Sequence, residues 1–140
     1  MGLDTSFDAW NGPYSAFNRW RDTLAHVAGY PLVEVAMDYA GNKRAAPNID
    51  WESVTFDNLE GDWTASGTPS DPLIILIAHY DCQGYILPEY CGILADRLEE
   101  LLPAIEEDPF PTRDWMISKT EQFIKGLREA EELDQPVDFF

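Results

Sequence analysis

From Pro88 onward the chain is organised by one pattern, the return of apolar residues at three- and four-residue intervals. Tyr90, Cys91, Leu94, Leu98, Leu101 and Ile105 fall on a single stripe of a helix that Pro88 can open, while Asp96, Glu99, Glu106 and Glu107 fall outside it. After the Asp108-Pro109-Phe110-Pro111 break, Thr112 is placed to cap a further helix carrying Met116, Thr120, Phe123, Leu127 and Ala130, and Pro136 stops it. The same period runs from Pro13 to Ala28. Phe17, Trp20, Leu24, Val27 and Ala28 share one face, Arg19, Asp22 and His26 the other, and Gly29 with Pro31 ends the helix. Three helices apolar on one stripe each must bury those stripes against something, which excludes a disordered or fibrous chain.

The something has strand character. Val33, Val35, Met37 and Tyr39 alternate with Glu34, Ala36 and Asp38 before a Gly41-Asn42 turn, the period of a half-buried strand. Trp51 to Phe56 reads as a second strand. Leu73 to Ala78 is uncharged and apolar throughout, which reads as a strand buried on both faces at the centre of a sheet. Val137 to Phe140 adds an edge strand. The expected fold is therefore α+β, a small three- to four-stranded sheet with about three amphipathic helices packed on one face. Its length of 140 residues suits one domain, 1–140, with Gly61 to Pro72 as a loop inside it and no internal repeat.

Charge narrows the function. Twenty-six Asp and Glu against nine Lys and Arg give a net charge of −17, a surface that repels phosphate backbones and anionic lipid, so nucleic acid and membranes are not the expected partners. The longest apolar run, Leu73 to Ala78, is far below the roughly 20 residues that span a bilayer. Met1 to Trp10 carries no Lys or Arg and no apolar run, unlike a signal peptide, so a cytoplasmic location is expected. In that compartment Cys82 and Cys91 stay as thiols, and helical phase directs Cys91 into the core.

Chemistry concentrates in one loop. His79, Tyr80, Asp81, Cys82, Gln83 and Tyr85 follow the apolar run and precede a helix start, where backbone N–H groups are unpaired and side chains converge. Three functional uses are open. A metal could be held by His79, Asp81, Cys82 and Cys91, although that spacing matches no zinc pattern. Cys82 could act as a nucleophile with His79 as base. The loop could bind a small polar ligand through His79, Asp81 and Gln83, with the tyrosines, Tyr14 among them, as stacking faces. The alternative is a turn in which Asp81 and His79 satisfy the backbone. Arg21, on the flank of the first helix's stripe, is placed to reach a carboxylate or a ligand anion. Trp10 and Trp63 lie in polar loops and are expected as exposed contact surfaces.

Two resemblances bear on this loop. Tyr14-Ser15-Ala16-Phe17 with Trp20-Arg21, His79-x-Asp81-Cys82-x-Gly84, Leu94-Ala95-x-Arg97-Leu98-x-x-Leu101-Leu102-Pro103, Gln122-Phe123-Ile124-x-Gly126-Leu127 and Pro136-Val137-x-Phe139 are together similar to a family of small uncharacterised proteins from actinobacteria and bacteriophages. Members often carry Ser in place of Tyr80 and an acid in place of Gln83. The resemblance implies a setting, phage–host conflict and immune evasion, and no activity. Ile75 to Gly84 also resembles, locally, the strand of zinc aminopeptidases that ends in His-Tyr-Asp, in which the His binds zinc; the adjacent acidic ligands and second His of those enzymes have no counterpart here.

The expectation drawn from all this is a protein that binds rather than catalyses, without cofactor or metal. Its first reading is sequestration of a small nucleotide-type signal at His79 to Tyr85, with Arg21 and Tyr14. The second is an acidic inhibitor or immunity protein covering a basic nuclease or toxin with its carboxylate-rich helices, and the third a metal-dependent hydrolase. Homo-oligomerisation is open in each case.

Overall fold

The computed structural model describes residues 2–29, 32–35, 44–47, 72–77, 79, 84–107 and 112–140. In chain order they form β1 (Gly2–Asp4), a 3-10 turn (Ser6–Asp8), β2 (Asn11–Pro13), α1 (Tyr14–Val27), β3 (Leu32–Val35), β4 (Arg44–Pro47), α2 (Leu73–Ile77), β5 (Tyr85–Ile86), α3 (Pro88–Glu107), α4 (Arg113–Leu133) and β6 (Val137–Asp138). This is an α+β arrangement dominated by helix. Expectations for the Gly41-Asn42 turn, for Trp51 to Phe56, for Trp63 and for most of the Gly61 to Pro72 loop fall outside the described residues.

α1, α3 and α4 follow their apolar stripes. Phe17, Trp20 and Leu24 of α1 are buried, as are Cys91, Leu94, Leu98, Leu101 and Ile105 of α3, and Met116, Thr120, Phe123, Leu127 and Ala130 of α4. α3 and α4 form an antiparallel hairpin, Arg128 of α4 reaching the Gly92 carbonyl early in α3 and Arg113 the Glu106 carbonyl at its end. Thr112 does precede α4, but it makes no side-chain cap bond; its backbone carbonyl accepts from Met116 N–H at 2.9 Å instead. Where α4 ends, Asp134 takes a left-handed backbone at φ 53°.

Two expectations fail for a physical reason. Leu73 to Ile77 is helix, not strand. A short continuous apolar run carries no period, so it does not distinguish a buried strand from a buried helix. Here the run packs on α1 and α3 with Leu73, Ile75 and Leu76 buried. The second failure is Trp10, expected at the surface and found fully buried. The Thr5 hydroxyl accepts from Trp10 N–H at 2.8 Å and donates to its carbonyl at 3.1 Å, closing residues 5–10 into a turn that points the indole inward. It meets the Phe17 ring edge-on at 5.1 Å, and Trp20 and Phe123 continue the aromatic cluster, also at 5.1 Å between centroids. The large area these rings remove from water makes this cluster the centre of the core.

The described strands form two-stranded antiparallel pieces, β1 with β2, β3 with β4 and β5 with β6, not one three- to four-stranded sheet. A single bridge, Thr5 with Phe139, links the first piece to the last, and Asp4 and Phe140 exchange backbone bonds of 2.9 Å. The C-terminal segment thus lies between the N-terminal hairpin and β5. The 3-10 turn between β1 and β2 is strained: Phe7 and Asp8 both have positive φ, 58° and 51°. Each such residue costs about 1–2 kcal/mol. The turn is held by Gln122 Nε2 donating to the Asp8 carbonyl and by Ser6 Oγ accepting from Asp138 N–H, both at 2.8 Å.

Candidate functional site

The loop singled out in the sequence is anchored at both ends. His79 is 3% exposed. Its N–H donates to the Leu76 carbonyl at 3.2 Å, continuing the turn of α2, and its ring stacks on Phe139 with centroids 4.0 Å apart. Nε2 lies 3.2 Å from the Tyr85 carbonyl oxygen. A carbonyl only accepts, so this contact places a proton on Nε2.

At the far end, Gly84 turns the chain with φ 89°, a conformation that disfavours a side chain, and its carbonyl accepts from Phe139 N–H at 2.9 Å. Tyr85 and Ile86 then pair with Asp138 and Val137. Tyr80, Asp81, Cys82 and Gln83 lie outside the described residues.

Arg21 does come to this loop, as its place on α1 suggested. One guanidinium nitrogen, Nη1, donates to the Leu76 and Ile77 carbonyls at 3.3 Å each and to the His79 carbonyl; Nη2 donates to Asn18 Oδ1, one turn earlier on α1. The guanidinium carbon sits 4.4 Å above the Phe17 ring centroid. Carbonyls at a helix end have no intrahelical partners and carry partial negative charge, which a cation stabilises. Arg21, 7% exposed, therefore acts as the C-terminal cap of α2. Tyr14 and Tyr85 are half-buried, Tyr14 in the first turn of α1.

The other candidate groups are quiet. His26 is exposed, in the last turn of α1. Cys91 is a free, buried thiol that donates to the Leu87 carbonyl at 3.3 Å. Burial pushes it up to about 12, with a backbone bond at Val137 working in the opposite direction, so it is not an activated nucleophile. Among the described residues no three His, Cys, Asp or Glu side chains gather as a metal site.

Charge is instead displayed on α3. Glu89, Asp96, Glu99, Glu100, Glu106 and Glu107 are all exposed, and the helix's one cation, Arg97, is 3.3 Å from Glu100. Arg128 reaches across from α4 to Asp96 at 2.6 Å and Glu99 at 3.1 Å; those bonds, Asp96 first, hold its guanidinium more firmly protonated than usual.

Phe139, which supplies the face that His79 stacks on, did not stand out as a site residue. Its signal was the alternation at the C-terminus, Val137 and Phe139 buried with Asp138 and Phe140 exposed. Asn18 was legible only as a polar residue one turn before Arg21.

The chain matches no protein-family model, and comparison with curated proteins and with solved structures finds no match.

Proposed function

We propose that the chain is a non-enzymatic binding protein of the cytoplasm whose working surface is the acidic face of α3, turned toward a basic protein partner such as a nuclease or toxin. The observation that supports this is the division of labour between polar groups. Arg21 and His79, the strongest polar candidates of the loop, are buried and bonded to backbone carbonyls, whereas every carboxylate of α3 is exposed. Exposed like charges along a helix raise the local potential and steer an oppositely charged partner, an effect screened over about 8–10 Å at ordinary ionic strength. Interference in phage–host conflict, the setting suggested by the resemblance to actinobacterial and phage proteins, is one in which such a cover is useful.

The test is calorimetric titration against a panel of purified basic nucleases at low and raised salt. Binding that weakens as salt rises, and that drops when Glu99, Glu100, Glu106 and Glu107 are changed to Gln, supports the reading. Binding indifferent to both changes refutes it, as does a panel in which nothing binds.

A second reading keeps the loop as the site, because Arg21, His79 and Tyr85 do converge there. In it, a small polar ligand such as a nucleotide-type signal contacts residues 80–83, and Arg21, His79 and Phe139 hold the loop's ends in place. Titration with nucleotides, cyclic dinucleotides and NAD derivatives separates the two readings, since loop binding should survive the α3 Glu→Gln changes. A zinc site through His79 Nε2 would require the bond to the Tyr85 carbonyl to be broken.

A further inference from the structure

Leu73-Ile74-Ile75-Leu76-Ile77 is built from residues that favour strands: three β-branched isoleucines, no charge, no glycine and no proline. Runs of this kind pair readily with copies of themselves. Yet the segment is the helix α2, which at five residues is far below the roughly 12–15 that sustain an isolated helix in water. Local preference and observed conformation conflict, so the helix depends on what surrounds it.

Packing supplies part of that support, with Leu73, Ile75 and Leu76 buried against α1 and α3. Among the described residues, a polar contribution comes from one side chain of α1. Arg21 bonds the carbonyls of Leu76 and Ile77 at the end of α2 and that of His79 just beyond it, and it is fixed in turn by Asn18 and by the Phe17 ring. In a strand those carbonyls would point alternately to opposite sides of the chain, and one guanidinium would no longer reach them together.

We propose that Leu73–Ile77 is a two-conformation segment, held helical by the Arg21 cap and able, once that cap is lost, to pair as a β-strand with the same segment of a second copy of this chain. Anything that draws Arg21 away, a ligand anion included, would then couple to self-association. The cap is the switch, and the apolar run is the element it biases.

The test uses the full-length chain in four forms: native, Arg21→Gln, Leu127→Ala, and Arg21→Gln with Ile77→Lys. Leu127→Ala empties the core at α4 and serves as a control for general loss of stability. Backbone ¹³C shifts of residues 73–77 report helix or strand, and sedimentation velocity reports assembly. Since bonds to a charged group are the strong kind, Arg21→Gln should raise the released population by roughly ten- to a hundredfold. The expected result is strand-like shifts and concentration-dependent assembly in Arg21→Gln, neither in Leu127→Ala at matched residual stability, and loss of assembly when Ile77→Lys adds a charge to the run. The proposal is overturned if Arg21→Gln stays helical and monomeric, if it unfolds to coil shifts, if Leu127→Ala assembles equally, or if Ile77→Lys leaves assembly intact.

Discussion

Two helix-interior glycines, Gly92 in α3 and Gly126 in α4, should respond to the same substitution with opposite signs. Each replacement by alanine removes the helix-propensity penalty of glycine, worth about 1 kcal/mol. They differ in what the new methyl meets. At Gly126 a Cβ would lie 2.4 Å from Ala9 Cβ and 2.8 Å from Ala9 Cα, atoms of a buried backbone segment that leads directly into the fully buried Trp10. That segment is tied to α4 by Gln122 and to its own turn by Thr5, so it cannot move without breaking those bonds. Overpacking of this kind costs about 1–3 kcal/mol, and here it displaces backbone, which puts it at the upper end. Gly126→Ala should therefore lose about 1–2 kcal/mol net. At Gly92 a Cβ would come within 1.5 Å of Glu131 Oε2, but Glu131 is exposed and its carboxylate can swing into solvent. Gly92→Ala should gain about 0.5–1 kcal/mol. For a chain of this size each kcal/mol moves the melting temperature by roughly 3–4 °C. Urea denaturation followed by tryptophan fluorescence and far-ultraviolet circular dichroism measures both variants against the native chain. Equal shifts for the two would refute the reasoning, and so would a Gly126→Ala chain as stable as the native one.

Thr120→Val should destabilise by about 1–3 kcal/mol, because the buried Trp20 indole N–H now donates to Thr120 Oγ1 at 3.0 Å and would be left without an acceptor, whereas Thr120→Ser keeps the bond and should cost about 1 kcal/mol for the lost methyl; chemical denaturation checks both. Cys91 gives a pH signature. Its folded value near 12 stands above the ordinary 9.0, so the unfolded chain releases the proton first and the stability contributed by the neutral thiol is full below about pH 9 and is lost as pH climbs toward 12. Denaturation midpoints measured across that window should fall more steeply for the native chain than for Cys91→Ala, and identical slopes would contradict the assignment. Phe139→Ala should destabilise the protein by about 3–5 kcal/mol, since the ring packs against both Phe17 and His79, and hydrogen exchange at residues 79 and 84–86 should accelerate more than exchange in the centre of α4.

How far the sequence alone carried depends on whether a segment's period or its surroundings decide its conformation. α1, α3 and α4 are each long enough for several turns of apolar repeat, and most of each stripe is buried, with Val27, Ala28 and Tyr90 half-buried at its ends and Arg21, Ala25, Gly92, Ala95, Ile124 and Gly126 buried beside it. Pro88, Gly29 and Pro136 mark their limits for reasons local to the backbone. α2 failed because five apolar residues hold no period, and because the side chain that bonds its last carbonyls, Arg21, lies 52 or more positions earlier in sequence, at a distance that only folding reveals. Trp10 failed for a related reason. Asp8 and Asn11 beside it are polar, and the Thr5 hydroxyl that turns it inward gives no sign of that role in a linear reading.

The same distinction bears on the loop. His79, Tyr80, Asp81 and Cys82 are a dense run of chemically capable side chains, and density is visible in sequence while partnership is not. The structure supplies the partners at the loop's two ends: Arg21 and Phe139 at His79, and β6 at Gly84 to Ile86. Through Phe139 these partners connect the loop to the bridge with Thr5, and through it to the turn that buries Trp10. His79, Gly84 to Ile86, the C-terminal strand and the N-terminal hairpin are thus one connected unit, packed on the aromatic cluster around α1. A partner that grips any one of them must either fit that unit as it stands or unmake bonds in the others. The α3 face carries no such constraint, because its carboxylates stand outside the unit and can be covered without moving the backbone beneath them.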